Sequence, residues 1–197
     1  MIDYKIIFGF AAAIIGFIGL VPYIRDVFRG KTKPHAFSWF VWGLLESIAF
    51  LAQLSKGGGF GALFTALTAA VTFFIAWLAI LQKDQQITLF DFIAFVGAII
   101  GILLWVITKN PLLAVIAVAV ADALGFLPTF RKAYVKPHEE TLIEFALSAL
   151  KWIVAIPALG ALNITTWLYP ASLFVTNSTF VVMVLIRKSI LRVHKVY

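Results

Sequence analysis

The chain has 197 residues, of which 62% are hydrophobic and only 13% are charged, and its formal net charge is +7. A water-soluble domain of this length cannot bury so much apolar surface, so the composition predicts a protein solvated by lipid. Cysteine is absent and only three histidines occur, which excludes disulfides and sulfur-ligated metals and makes a histidine metal site improbable. No metal or cofactor is therefore expected. No nucleic-acid-binding module occurs either, so the basic charge is attributed to membrane topology.

Seven apolar segments follow one another along the chain. Their predicted bounds are 5–24, 36–55, 60–82, 88–108, 111–130, 139–158 and 165–187. Glycine-rich or charged stretches such as 56–59 and 82–85 separate them. Connections this short make neighbouring helices antiparallel and leave no room for an extramembrane catalytic domain. The predicted fold class is an all-α integral membrane protein with seven transmembrane helices.

One motif occurs twice, about 106 residues apart, each time at the end of an apolar run. Residues 19–25 read Gly-Leu-Val-Pro-Tyr-Ile-Arg and residues 125–131 read Gly-Phe-Leu-Pro-Thr-Phe-Arg. Both copies continue to Lys-Pro-His, at 33–35 and 136–138. Because four helices separate the copies, both have the same membrane orientation, and the sequence predicts a parallel internal repeat.

The repeat divides the chain as three helices, one helix and three helices. Residues 1–85 form the first three-helix bundle, 86–109 the linker helix 4, and 110–197 the second bundle with a short basic tail. Twelve of the sixteen lysines and arginines fall on one side of this arrangement. The positive-inside rule then predicts an outside amino terminus and a cytoplasmic carboxy terminus, in the plasma or inner membrane.

The motif regions are similar to a known family. Pro22 near a helix end, a basic turn, and then Ser38 and the aromatic Trp42 on the next helix resemble the PQ-loop superfamily, which includes the SWEET sugar transporters. The same order returns from Pro128 to Phe145. The resemblance implies a divergent seven-helix transporter that works by alternating access, with Pro22 and Pro128 as hinges of the cytoplasmic gate. From the residues alone, simple helix termination by these prolines is an equal alternative.

The chain departs from the family at defined positions. Tyr23 and Thr129 stand where the glutamine that names the motif would be, and the mid-helix prolines that SWEETs carry on helices 2 and 6 are missing. These differences bear on sugar specificity more than on fold.

Four ionisable side chains are predicted within spans, namely Glu46, Asp122, Glu144 and Lys151. A charge at the bilayer centre costs about 2.5–3.5 kcal/mol on insertion scales, so each should face the bundle interior or a partner. They are interpreted either as groups that couple transport to protons or as an intramembrane ion pair that joins helices. Lys151 is expected to pair with Asp122 or Glu46.

Neutral polar residues mark a predicted central binding site. Asn177, between Thr176 and Ser178, lies near the middle of helix 7, where the resemblance to SWEETs implies a substrate-contacting asparagine. Thr72 on helix 3 is expected to face Asn177 across the pseudo-axis, and Trp42 could stack on a ring or sugar face. The alternative for Asn177 is a hydrogen bond to a neighbouring helix.

The leading hypothesis is a transporter for a sugar, amino acid or vitamin precursor, either passive or coupled to protons. A seven-helix receptor, a sensor or a trafficking-type binding protein on the same fold is the alternative. An enzyme is not expected, because no serine–histidine or paired-aspartate arrangement occurs. The expected partners are a small solute and the bilayer. The chain could act as a monomer or a homo-oligomer, and Gly97 and Gly101 of helix 4 could pack within the chain or against a second copy.

Overall fold

The computed structural model describes residues 4–30, 36–81, 89–135, 137 and 142–193. Within these ranges the chain forms seven α-helices and no strand, which confirms the predicted all-α class. The helices are α1 (Tyr4–Phe28), α2 (Ala36–Ser55), α3 (Gly59–Ile80), α4 (Leu89–Thr108), α5 (Pro111–Val135), α6 (Leu142–Ala155) and α7 (Ile164–Val193).

Four helices are long and apolar enough to cross a membrane. They are Tyr4–Phe28, Gly59–Ile80, Pro111–Val135 and Ile164–Leu191. Shorter apolar stretches lie in α2 and α4. Large apolar side chains such as Phe17 and Ile107 are exposed on the outward faces, where lipid rather than water would be a favourable solvent. These features fit an integral membrane protein.

The first helix does not end at its proline. Pro22 lies inside α1, which continues to Phe28, and the turn after it is closed by Gly30, whose φ is +66° and whose N–H donates to the Val27 carbonyl. A glycine in the left-handed region is a usual helix stop. Likewise, α5 continues through position 128 to Val135. The predicted helix ends at 24 and 130 were therefore wrong, and both prolines lie within continuous helices.

The sixth helix is shorter than predicted. It ends at Ala155 and continues only as a 3₁₀ turn, Ile156–Ala158, that contains Pro157. Proline cannot donate the amide that the next α-helical turn needs, which explains the change of helix type. Residues 139–141 of the predicted segment lie outside the described residues.

Each helix packs against at least two others. Helix α3 lies against both α1 and α2, and α7 lies against both α5 and α6. Between these groups, α1 packs on α6 and α2 packs on α5, while α4 packs on α5 and α2. Small residues allow close contact: a β-carbon built on Gly97 of α4 would lie 2.6 Å from that of Ala121 on α5. The Gly97 and Gly101 face therefore packs within the chain.

Because neighbouring helices are antiparallel, the bundle has two distinct ends. We call one the glycine end, where the α2–α3 connection (residues 56–58) meets the α6–α7 connection (159–163). We call the other the basic end, where α1, α5 and α7 finish and where the described residues include Arg25, Arg29, Arg131, Arg187 and Lys188.

Candidate functional site

Two polar side chains of the first three helices meet inside the bundle. Glu46 of α2 is 7% exposed and Thr72 of α3 is 5% exposed. The Thr72 hydroxyl donates a 2.7 Å hydrogen bond to Oε2 of Glu46. A hydrogen bond to a carboxylate is stronger than one between neutral groups. Thr72 therefore fixes the orientation of the Glu46 carboxyl.

The second carboxyl, Asp122 of α5, is brought to the same region. It is 4% exposed and interacts electrostatically with Glu46. The hydroxyl of Tyr169 on α7 faces Asp122 and also interacts with Glu46. Tyr169 is completely buried, yet its oxygen makes no hydrogen bond of good geometry to the described residues. We call Glu46, Thr72, Asp122 and Tyr169 the central cluster.

Lys151 of α6 approaches the central cluster without joining it. Its ammonium interacts electrostatically with Glu46 and with Glu144, one of its own helix's residues, but forms a direct ion pair with neither of these described carboxyls. Nζ instead lies 5.3 Å from the centroid of the Trp152 ring, within cation–π range. The predicted ion pair of Lys151 with Asp122 or Glu46 is therefore not formed among the described residues; Lys151 interacts with Glu46 only at longer range, and Asp122 lies beside Tyr169.

Two glycines of α1 leave space for the charged side chains of α6. A β-carbon on Gly16 would lie 3.2 Å from Cδ of Lys151, and one on Gly19 would lie 2.8 Å from Oε2 of Glu144. The Oε2 atom of Glu144 is buried and has no hydrogen-bond partner among the described residues. The Lys151 and Glu144 side chains therefore lie directly on the α1 backbone.

The predicted polar residues of α7 bond mainly to their own helix. Asn177 is buried, and its Nδ2 donates to the Leu173 carbonyl at 2.8 Å. The Thr176 hydroxyl donates to the Ser172 carbonyl, and Ser178 is half-buried. No hydrogen bond joins the described side chains of Asn177 and Thr72: the Thr72 hydroxyl donates to Glu46 and the Asn177 amide donates to its own helix.

Aromatic side chains cover the central cluster on the side of the basic end. We call this set the basic-end layer; it consists of Trp42, Phe126, Phe145 and Phe180. Trp42 and Phe126 lie 5.8 Å apart between ring centroids, and Phe145 and Phe180 lie 4.2 Å apart. Trp42 and Phe126 are each one helical turn from a carboxyl of the cluster, so their contact joins α2 to α5 immediately beside the carboxyls.

A second aromatic set covers the cluster on the side of the glycine end. This glycine-end layer consists of Phe64 and Trp152, and it packs on the ring of Tyr169, whose hydroxyl belongs to the central cluster. The ring centroids of Phe64 and Trp152 lie 5.5 Å apart, and those of Trp152 and Tyr169 lie 6.1 Å apart. All three side chains are buried. Since Phe64 belongs to α3 and the other two to α6 and α7, this layer also joins the two groups of helices.

At the glycine end, a side chain replaces a missing helical hydrogen bond. Pro170 lies inside α7 and has no N–H to offer the carbonyl of Thr166 four residues earlier. Nε2 of Gln53 on α2 donates to that carbonyl at 2.9 Å. Gln53 is completely buried, and its Oε1 has no partner among the described residues.

Backbone contacts close the same end. The Gly160 N–H donates to the Gly58 carbonyl at 2.8 Å, and Nδ2 of Asn163 donates to the Lys56 carbonyl at 3.0 Å. Nζ of Lys5 donates to the Gly160 carbonyl. Side chains at 58 or 160 would collide with backbone atoms of the opposite connection or of α2. The glycines therefore allow the two connections to approach each other closely, and they also allow the chain to reverse direction.

The predicted hinges lie toward the basic end. Pro22 is half-buried in α1, one turn beyond Gly19. The backbone of α5 is helical at position 128, while the side chain of Pro128 lies outside the described residues.

Several residues of the site were not predicted from the sequence. Tyr169 and Gln53 lie in no motif, and Phe126 lies in the second copy of the repeated motif but was given no role there. Tyr169 in an apolar run is indistinguishable from an interfacial aromatic residue. One signal was available: Pro170 four residues after Thr166 indicates a helical carbonyl that needs a donor from elsewhere.

No protein-family model, curated protein or solved structure matches the chain. The geometry is therefore the basis for assigning a function. The central cluster brings two carboxyls and two hydroxyls together inside the bundle, between two aromatic layers.

Proposed function

We propose that this protein is a membrane transporter that moves a small polar solute by alternating access, in the manner of PQ-loop and SWEET proteins. The observation that carries the proposal is the central cluster, which takes residues from α2, α3, α5 and α7 and lies buried between the two aromatic layers. A solute site at mid-depth between two halves is the arrangement that alternating access requires.

The proposed halves are α1–α3 and α5–α7, with α4 as the linker. Their internal packing supports this division, because α3 and α7 hold equivalent places between the other two helices of each half. The contacts between halves support it too. A two-fold axis between the proposed halves would place α1 on α5 and α2 on α6. The same axis would place the α1–α6 contact on the α5–α2 contact, so the two contacts are equivalent.

In the proposed cycle, the halves rock against each other around the central cluster. The glycine-end layer and the hydrogen bonds beyond it separate when that end opens, and the basic-end layer separates when the other end opens. Pro22 and Pro128 allow the basic-end segments of α1 and α5 to bend, since each removes one amide from its helix. The glycine end faces outside and the basic end faces the cytoplasm, in accordance with the distribution of lysine and arginine.

The proposed solute contacts are Thr72 and Trp42 from the first half and Asn177, Thr176 and Ser178 from the second. Glu46, Asp122, Glu144 and Lys151 supply charge within the membrane, and a buried charge without a full partner is by default functional.

The test is uptake into proteoliposomes that contain purified protein, with a labelled panel of sugars, amino acids, amines and vitamin precursors. Saturable uptake of one solute that is lost in Asn177→Ala supports the proposal. The matched control is Thr179→Ala, because Thr179 lies on the exposed face of α7 and bonds only to its own helix. A solute that binds wild-type protein but never crosses the membrane would favour the receptor alternative.

A further inference from the structure

The central cluster contains more acids than bases. Glu46 and Asp122 are buried there, Glu144 lies nearby on α6, and Lys151 is the one cation that interacts with them among the described residues. Apolar surroundings do not stabilise unpaired carboxylates. A negatively charged solute would meet three carboxyls and one ammonium, so the arrangement disfavours anions and favours a group that brings positive charge.

A second observation, independent of the charge count, is the hydroxyl of Tyr169. It is completely buried and interacts electrostatically with both carboxyls of the central cluster, and its contact with Asp122 does not reach the geometry of a well-formed hydrogen bond. A buried hydroxyl without a well-formed hydrogen bond is energetically unfavourable. A bound solute with N–H donors would donate hydrogen bonds to the Tyr169 oxygen and to the two carboxyls.

The protein already holds one ammonium group beside this site. Nζ of Lys151 lies over the Trp152 ring at 5.3 Å and faces Glu46 and Glu144 without a direct ion pair to either. Trp152 in turn packs against Tyr169. The walls of the central cluster are thus suited to a cation by both their carboxyls and their aromatic faces.

From this geometry we infer that the central cluster binds a small primary amine in its ammonium form, with Glu46 and Asp122 as counter-ions and the Tyr169 oxygen as a third acceptor. The inference rests on the proposed function and names its substrate class. Lys151 competes with the bound amine for Glu46. When the amine neutralises Glu46, the Lys151 ammonium moves toward Glu144. A zwitterionic amino acid is a poorer guest, because its carboxylate would face the same acids.

Three solutes that share a two-carbon skeleton test the inference that the site binds a primary amine. Ethanolamine carries a primary ammonium, choline carries a quaternary ammonium without N–H donors, and ethylene glycol is neutral. Binding is measured on wild-type protein by thermal shift and transport by proteoliposome uptake. We expect ethanolamine to stabilise the protein and to be taken up, choline to bind about tenfold more weakly, and ethylene glycol to do neither.

Variants then locate the site. Glu46→Gln and Asp122→Asn should each weaken ethanolamine binding about tenfold or more, and Tyr169→Phe should weaken it severalfold. Lys151→Met should strengthen binding severalfold, because the competing ammonium is gone. The matched control is Asp26→Asn, which neutralises a carboxyl that pairs with its neighbour Arg25 among the described residues, and it should leave binding unchanged.

The outcomes separate the two proposals. Binding of ethanolamine that depends on Asp122, without uptake, supports the inference and overturns the transporter function. Uptake of neutral solutes that ignores Glu46 and Asp122 overturns the inference and leaves the transporter function standing. Loss of all binding in folded Lys151→Met protein, or proton movement without any amine dependence, also overturns the inference. The comparison of the three solutes uses wild-type protein alone, so it still tests the inference if a variant fails to fold.

Discussion

Gln53 of α2 donates a hydrogen bond to the Thr166 carbonyl of α7, in the place that Pro170 leaves without an amide. The bond spans 113 positions of sequence. It connects the first three-helix group to the second at the glycine end, beyond the glycine-end layer.

Replacing Gln53 by leucine should destabilise the protein by about 1 kcal/mol, because the buried Thr166 carbonyl loses its donor. In a Pro170→Ala background the new amide at 170 can supply that donor, and the same substitution should cost much less. Thermal unfolding in detergent of the two single variants and the double variant measures the coupling. Equal losses of stability on replacing Gln53 in both backgrounds would show that Gln53 does not stabilise the protein through the Thr166 carbonyl.

Thr72→Val should impair solute uptake by about tenfold, because the Glu46 carboxyl loses the hydroxyl that orients it. The control is Thr68→Val, one turn earlier on α3, whose hydroxyl returns to the Phe64 carbonyl of its own helix. Uptake kinetics and detergent melting are measured for both. If the two variants behave alike, the hydrogen bond to Glu46 has no special role.

Alanine at Gly19 should be more harmful than alanine at Gly16. The new methyl at 19 would meet Oε2 of Glu144 at 2.8 Å and Cβ of Leu147 at 3.3 Å, whereas the one at 16 meets only Cδ of the flexible Lys151 at 3.2 Å. Overpacking of this kind costs about 1–3 kcal/mol. Melting temperatures give the order, and Glu144→Ala added to Gly19→Ala should recover part of the loss. The reverse order would mean that α1 and α6 do not pack as described.

A disulfide across the glycine end should stop transport reversibly. A β-carbon on Gly57 would lie 3.5 Å from Cβ of Ala161, within the range that a disulfide needs, and the chain has no cysteine of its own. In Gly57→Cys/Ala161→Cys protein, oxidation should hold this end closed and abolish uptake, and reduction should restore it. Gly57→Cys alone controls for the positive φ of +80° at that position. Full transport in the oxidised double variant would contradict opening at the glycine end.

The helices and their order were predictable because each depends on a local property of the chain. A run of apolar residues long enough for a membrane is visible in the sequence, and its helical form follows from the need to satisfy backbone groups inside lipid. The helix ends were less predictable. Gly30 ends α1 beyond Pro22, and Pro157 converts the end of α6 into a 3₁₀ turn, because local hydrogen-bond geometry decides the end of a helix more than apolar length does.

The site was predictable only in part. Glu46, Asp122 and Lys151 are conspicuous because charge is costly within a span, so the sequence alone predicted that they lie inside the bundle. The tertiary structure decided that Asp122 faces Tyr169, that Thr72 bonds to Glu46, and that Gln53 reaches Thr166. In a soluble helix the polar face marks the outside, but a helix in lipid is apolar on both its outer and inner faces. Its rotation about its own axis is therefore set by contact with other helices, and only that rotation determines which polar side chains meet.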